Sequence, residues 1–184
     1  MNKLKYIGLL VIILVVASCG NDKAPEQEAA RPNDSIPEIQ NKIKALEAEM
    51  HSSMEINNAT AANAIKLYHD YAKMYPEDSI TPDYLFKAAE IATAVQQYPQ
   101  ALNDYETITE KYPSYKLMQE SLFLQASLLD HYLNDDIKAE GVYEELIKKY
   151  PTGIYAVDAK AAIQNLGKTD AELHEEFKRK NGEK

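Results

Sequence analysis

From about residue 36 onward, apolar residues recur three and four apart with polar residues between them, the period of one helix face. The pattern is sharpest in three segments that read alike: AIKLYHDYAKMYP at 64–76, ALNDYETITEKYP at 101–113 and AEGVYEELIKKYP at 139–151. Each begins with alanine (Ala64, Ala101, Ala139) and carries tyrosine four residues on (Tyr68, Tyr105, Tyr143). A bulky residue follows seven from the start (Tyr71, Ile108, Leu146), and Tyr-Pro closes the segment at Tyr75-Pro76, Tyr112-Pro113 and Tyr150-Pro151. Offsets of 4, 7 and 11 share one side of an α-helix. Proline, with its φ fixed and no amide proton to give, then ends the helix. The spacing between copies is 37 and then 38 residues. Self-similarity at that period predicts stacked helical hairpins.

A second kind of helix is predicted between the copies. Pro82 to Gln97 places Leu85, Ala88, Ala89, Ala92 and Val95 at helical spacing, with Pro82-Asp83 suited to a first turn. Glu120 to Leu133 does the same with Leu122, Ala126, Leu129 and Leu133. The small residues Ala88/Ala89 and Ala126/Ser127, and the alanine that opens each Tyr-Pro segment, let the helices of a hairpin approach closely. Toward the N-terminus, Ile39, Ile43, Leu46 and Met50 are spaced 4, 3, 4. That fits either a first helix packed on the array or a short trimerising coiled coil. Two heptads fall short of the three to four that support a coiled coil, so the packed helix is expected. At the other end Ala159, Ala162, Ile163 and Leu166 share a face, with Gly167 as a C-cap. A polar helix from Asp170 (DAELHEEFKRK) is expected to cover the end of the stack, since a terminal repeat needs a polar outer face.

The three copies resemble the tetratricopeptide repeat, whose pattern has a small residue opening the second helix, an aromatic four later and a closing proline. The resemblance covers about residues 36–167; its units are three or four residues longer than the basic repeat, which turns such as EDSIT and SYKLM can absorb. The tryptophan often present in the first helix is missing, with Leu85 and Leu122 in its place. What the resemblance implies is an all-α right-handed superhelix of about three hairpins (36–76, 77–113, 114–151) plus a C-terminal cap at 152–180. It also implies a concave groove lined by first helices that holds an extended peptide or a partner's helix. Carried onto this chain, the groove positions are Asp83, Phe86, Glu90 and Thr93 in one repeat, and Glu120, Phe123, Ser127, Asp130 and His131 in the next. Phe86 and Phe123 are equivalent, each ten residues after its proline, and either fill the hairpin core or line the groove. If exposed, two aromatics rimmed by acids suit a basic and hydrophobic peptide.

The first twenty residues belong to a different pattern. MNKLKYIGLLVIILVVASCG carries Lys3 and Lys5, then an apolar run from Tyr6 to Val16, then small residues before Cys19, the layout of a secretory signal peptide. The run is short of the roughly 20 apolar residues of a membrane span. Val16-Ala17-Ser18-Cys19 is similar to the bacterial lipobox, which implies cleavage before Cys19 and acylation of that residue. The expected organisation is a signal peptide at 1–18, a lipidated Cys19 with a tether to 35, and the repeat domain at 36–184. Two or three acyl chains, at about 0.8 kcal/mol per buried methylene, hold a protein on a membrane durably. Gly20 to Ser35 is polar, with two prolines and no apolar periodicity, and reads as a linker spanning about 20–25 Å.

Charge and chemistry narrow the function further. The formal charge is −9, and loss of residues 1–18 takes it to −11, which argues against nucleic acid and against docking on anionic lipid. A single cysteine excludes a disulfide within one chain. His51, His69, His131 and His174 do not stand at metal-ligand spacing, and no glycine-rich phosphate loop or nucleophile elbow is present. The carboxylate pairs Glu144-Glu145 and Glu175-Glu176 sit beside lysines on solvated helix faces. No catalysis, metal or cofactor is expected. The expected protein is a lipid-anchored scaffold of a Gram-negative envelope, on the outer membrane and facing the periplasm, similar to lipoproteins of outer-membrane assembly or Tol–Pal function. Two alternatives are a surface lipoprotein that captures host or nutrient proteins, favoured by Asp22, Glu26 and Glu28 soon after the cysteine, and a non-catalytic regulator of a peptidoglycan enzyme. Oligomeric state is left open.

Overall fold

The structure, a computed structural model, describes residues 36–52 and 57–182. Among these it contains helices and no strand: α1 (Ile36–Ser52), α2 (Asn58–Met74), α3 (Thr81–Ala94), α4 (Tyr98–Lys111), α5 (Met118–His131), α6 (Asp136–Lys149), α7 (Ala156–Asn165) and α8 (Asp170–Asn181). From α1 to α7 each helix packs on the next, so the chain folds as an all-α solenoid of hairpins. The signal peptide, Cys19 and the tether lie outside the described residues.

The apolar stripe seen in the sequence is the core. Ile39, Ile43 and Leu46 of α1 pack with Ala64, Tyr68 and Tyr71 of α2 and with Tyr84 and Ala88 of α3. The N-terminal helix thus packs on the array as the first helix of the first hairpin. The middle of the array joins Ile65 of α2, Leu85, Phe86, Ala89 and Ala92 of α3, Ala101, Tyr105 and Ile108 of α4, and Leu128 of α5. A third cluster runs from Leu122, Ala126 and Leu129 of α5 through Ala139, Tyr143 and Leu146 of α6 to Ala159 of α7. Ile91 touches the first two clusters, and Leu102 and Tyr115 touch the last two. No hairpin hides its apolar side alone; each is covered by the next, which is how a solenoid is stabilised.

The link between hairpins is one turn used three times. The amides of Asp78, Tyr115 and Gly153 donate to the carbonyls of Tyr75, Tyr112 and Tyr150 at 2.9–3.1 Å, each across the proline. The amides of Thr81, Met118 and Ala156 then donate to Asp78, Tyr115 and Gly153 at 3.0–3.1 Å. Proline at the second position of the first turn has the φ such a turn requires. The added length of each repeat is held here.

Some boundaries differ from the sequence reading. The alanines at 64, 101 and 139 lie inside α2, α4 and α6 rather than opening them, and each is buried. α3 stops at Ala94 because Gln96 adopts a φ of 61° and the Gln97 amide closes back on Ala92 at 2.7 Å. Tyr98-Pro99 therefore opens α4, proline standing in a first turn where its missing amide costs nothing. At the C-terminal end α7 buries Ala156 and Ala159, and Gly167 takes a φ of 71° just beyond it. The covering expected of the last helix is supplied by α7: none of the described α8 side chains is buried, and Phe177 is 60% exposed. α8 is held locally instead, by a capping box between Thr169 and Glu172 and by Lys168 on Glu176 at 2.7 Å.

Candidate functional site

α3 and α5 are the first helices of the second and third hairpins, and α4 lies between them in the chain. Between them lies an open cavity of about 420 Å³ lined by Glu90, Thr93 and Ala94 of α3, Tyr105 of α4, Leu124, Ser127, Leu128 and His131 of α5, and Tyr132. Residues three and four apart on a helix point the same way, so one face of α3 and one of α5 supply the walls. Four of the nine predicted groove residues meet here: Glu90, Thr93, Ser127 and His131. Tyr105 and Leu128 are core residues that also form cavity wall. At the rim the half-exposed Tyr132 stacks on Tyr98, with ring centroids 4.3 Å apart and planes 20° apart.

The other five predicted residues go elsewhere. Phe86 is a correction: it is 5% exposed and packs edge-on against Tyr105 at 5.6 Å, so it fills the core and cannot meet a partner. Phe123 is half-buried and stacks on Tyr155 at 5.0 Å, away from the cavity lining. Asp83 is engaged by the Tyr115 hydroxyl at 3.0 Å and by Lys116 at 2.9 Å. Glu120 faces the Tyr155 phenol, which burial first and then the Glu120 charge push up. Asp130 lies 3.5 Å from Nδ1 of His131; burial raises its carboxyl, His131 opposes and Asp136 adds. Tyr105, Leu124, Leu128, Tyr132 and Ala94 were not anticipated as site residues. Leu124 and Leu128 could have been found as the residues three before Ser127 and three before His131, but Tyr105 carried only the signal of core.

Glu90 dominates the electrostatics. Its carboxyl is pushed above the usual range by burial first and by Glu120 second, with Lys87 opposing. Lys87 is itself committed to Glu47 at 2.6 Å. Among the described residues Glu90 makes no hydrogen bond or ion pair. The Thr93 hydroxyl donates to the Ala89 carbonyl at 2.8 Å, and the Ser127 and Tyr143 hydroxyls are hydrogen-bonded to each other at 3.2 Å. Burial, then Glu90 and Glu120, push the Tyr105 phenol up.

A larger cavity of about 710 Å³ lies along the turns, between residues 76–83 and 111–116. Several of its polar groups are already paired: Asp78 takes the Tyr71 hydroxyl at 2.8 Å and the Ile80 amide at 3.1 Å, and Tyr112 donates to the Pro76 carbonyl at 2.9 Å. Asp83 is held as described. The groove cavity is the better candidate because it lies between the first helices of adjacent hairpins and gathers Glu90, Thr93, Ser127 and His131. Among the described residues no three of His, Cys, Asp and Glu gather as a metal site. His69 places Nε2 2.8 Å from Oδ1 of the buried Asp104, joining the first hairpin to the second.

Residues 83–115 and 120–153 match the tetratricopeptide repeat family. These stretches are α3–α4 and α5–α6, and they contain every residue that lines the groove cavity. No curated protein matches the chain. Tetratricopeptide repeats are non-catalytic scaffolds that bind protein or peptide partners, and the centre of this array is built from two of them.

Proposed function

We propose that this protein is a membrane-tethered scaffold of a bacterial envelope that holds a segment of a partner protein in the groove between α3 and α5. The observation that carries the reading is the groove cavity itself, open, walled entirely by repeat residues and holding an unpaired carboxylate. The binding is the function, and any catalysis belongs to the partner. The tether is proposed from the sequence: Lys3 and Lys5, the apolar run and Val16-Ala17-Ser18-Cys19 support cleavage before Cys19 and its acylation. Among the described residues no helix is long and apolar enough to cross a membrane. The outer membrane, on its periplasmic side, is the proposed location. The acids at 22, 26 and 28 favour surface display as the second reading, and a peptidoglycan enzyme as the partner remains the third.

The test is fractionation of cells expressing the full chain and its Cys19→Ala variant, followed by co-purification from solubilised membranes. The variant should keep its helical circular dichroism and leave the membrane fraction. Firm membrane retention of the variant refutes lipidation. Protection from protease in intact cells refutes surface display, and the co-purified class (barrel proteins, Tol–Pal components or wall synthases) decides the partner.

A further inference from the structure

We propose that the cavity between α3, α4 and α5 is a socket for one arginine side chain, presented by a partner segment with apolar residues on either side. This rests on the groove being the partner site and adds the chemistry of what fills it. At about 420 Å³ the space is many times the roughly 30 Å³ share of a water molecule and is large enough for a long side chain. Ala94, Leu124, Leu128 and the ring of Tyr105 offer an apolar wall for an aliphatic stem.

Charge chooses the head of that side chain. Among the described residues no lysine or arginine lines the cavity, and the carboxylate that does is Glu90. Glu90 is exposed at the mouth of the groove with Glu120 nearby, and the nearest opposing cation, Lys87, is bonded to Glu47 at 2.6 Å. An incoming cation complements that charge, whereas a carboxylate or phosphate would be repelled by it. The other acids first read as the groove's charge are less available: Asp83 is paired with Lys116, and Asp130 lies beside His131. Arginine fits better than lysine for two reasons. Its planar head can bond Glu90 while its other donors reach the oxygens of Thr93 and Ser127, and it can lie against the half-exposed ring of Tyr132 at the rim.

The test titrates the full chain in detergent micelles with the peptide acetyl-Gly-Leu-Arg-Leu-Gly-amide while amide NMR shifts are followed. Two companions replace arginine with citrulline, which keeps the shape and loses the charge, or with glutamate. The arginine peptide should move the amides of Thr93, Ser127 and His131 and bind about 2- to 5-fold more tightly than the citrulline peptide. Glu90→Gln should abolish that preference with unchanged circular dichroism. Glu90→Lys should transfer the preference to the glutamate peptide. Equal affinity of the arginine and citrulline peptides at the same amides overturns the cationic socket while leaving the groove as a binding site. Shifts confined to 76–83 and 111–116, or an arginine preference that survives in Glu90→Gln, overturn the placement at Glu90. If none of the three peptides moves the groove amides, the socket is refuted, and co-purification judges the scaffold separately.

Discussion

Ile108→Ala tests whether the hairpins are stabilised by leaning on one another. Ile108 is fully buried at the centre of the array, in the cluster that joins α3 and α4 to Leu128 of α5. The substitution removes three carbons, worth about 2.4 kcal/mol at roughly 0.8 kcal/mol each. A void of some tens of cubic ångströms then adds about 1 kcal/mol at roughly 24 cal/mol per Å³. The expected loss is about 3–4 kcal/mol, a large part of the roughly 5–15 kcal/mol that holds a typical domain folded. Urea unfolding followed by far-ultraviolet circular dichroism reads it as a midpoint lowered by about 1–2 M with an unchanged slope. Phe177→Ala is the control: a larger side chain is removed, but from a site 60% exposed on α8, and the cost should stay near or below about 0.5 kcal/mol. Hydrogen exchange should quicken in α3 through α6 for Ile108→Ala and only near α8 for Phe177→Ala. A loss under about 1 kcal/mol at position 108, or an equal loss at 177, would refute this account of the packing.

Two further outcomes follow from the tyrosines. The Tyr71 hydroxyl donates to Asp78 at 2.8 Å and accepts from Gln40 at 3.2 Å, so Tyr71→Phe should cost about 1–3 kcal/mol without opening a cavity. Thermal melts would register about 2–4 °C per kcal/mol, and an unchanged Tm would show the bonds to be worthless. Burial and the Asp78 charge push the Tyr71 phenol up to about 12, while burial also raises Tyr68, Tyr84, Tyr105, Tyr115 and Tyr143. Because folding favours the neutral phenols, their stabilisation is complete below about pH 10 and is lost as pH climbs through the folded values. The tyrosinate absorbance of these buried rings should therefore rise together with loss of helical circular dichroism, whereas ionisation with the helices intact would contradict their burial.

Helix type, repeat length and the stripe that becomes core were all legible, because offsets of 4, 7 and 11 and the closing prolines act within one helix. Helix ends were read less well. The stop at Ala94 depends on a left-handed backbone at Gln96, a residue with no compositional mark of a turn. The groove positions came from the family resemblance: Glu90, Thr93, Ser127 and His131 line one cavity, while Phe86 does not join them.

By itself the sequence determined an array of helical hairpins, since each unit states its own periodicity and its own stop, and the copies state it again. Only the tertiary structure decided which side chains are free to bind. Tyr115 reaches Asp83 across 32 residues, and Lys87 reaches Glu47 across 40, so that among the described residues Glu90 has no ion-pair partner within bonding distance. Phe86 and Phe123 meet the equivalent tyrosines Tyr105 and Tyr143, yet Phe86 is sealed in while Phe123 stays half-buried against Tyr155. Such pairings depend on which neighbour the stack brings alongside, and local periodicity carries no information about that.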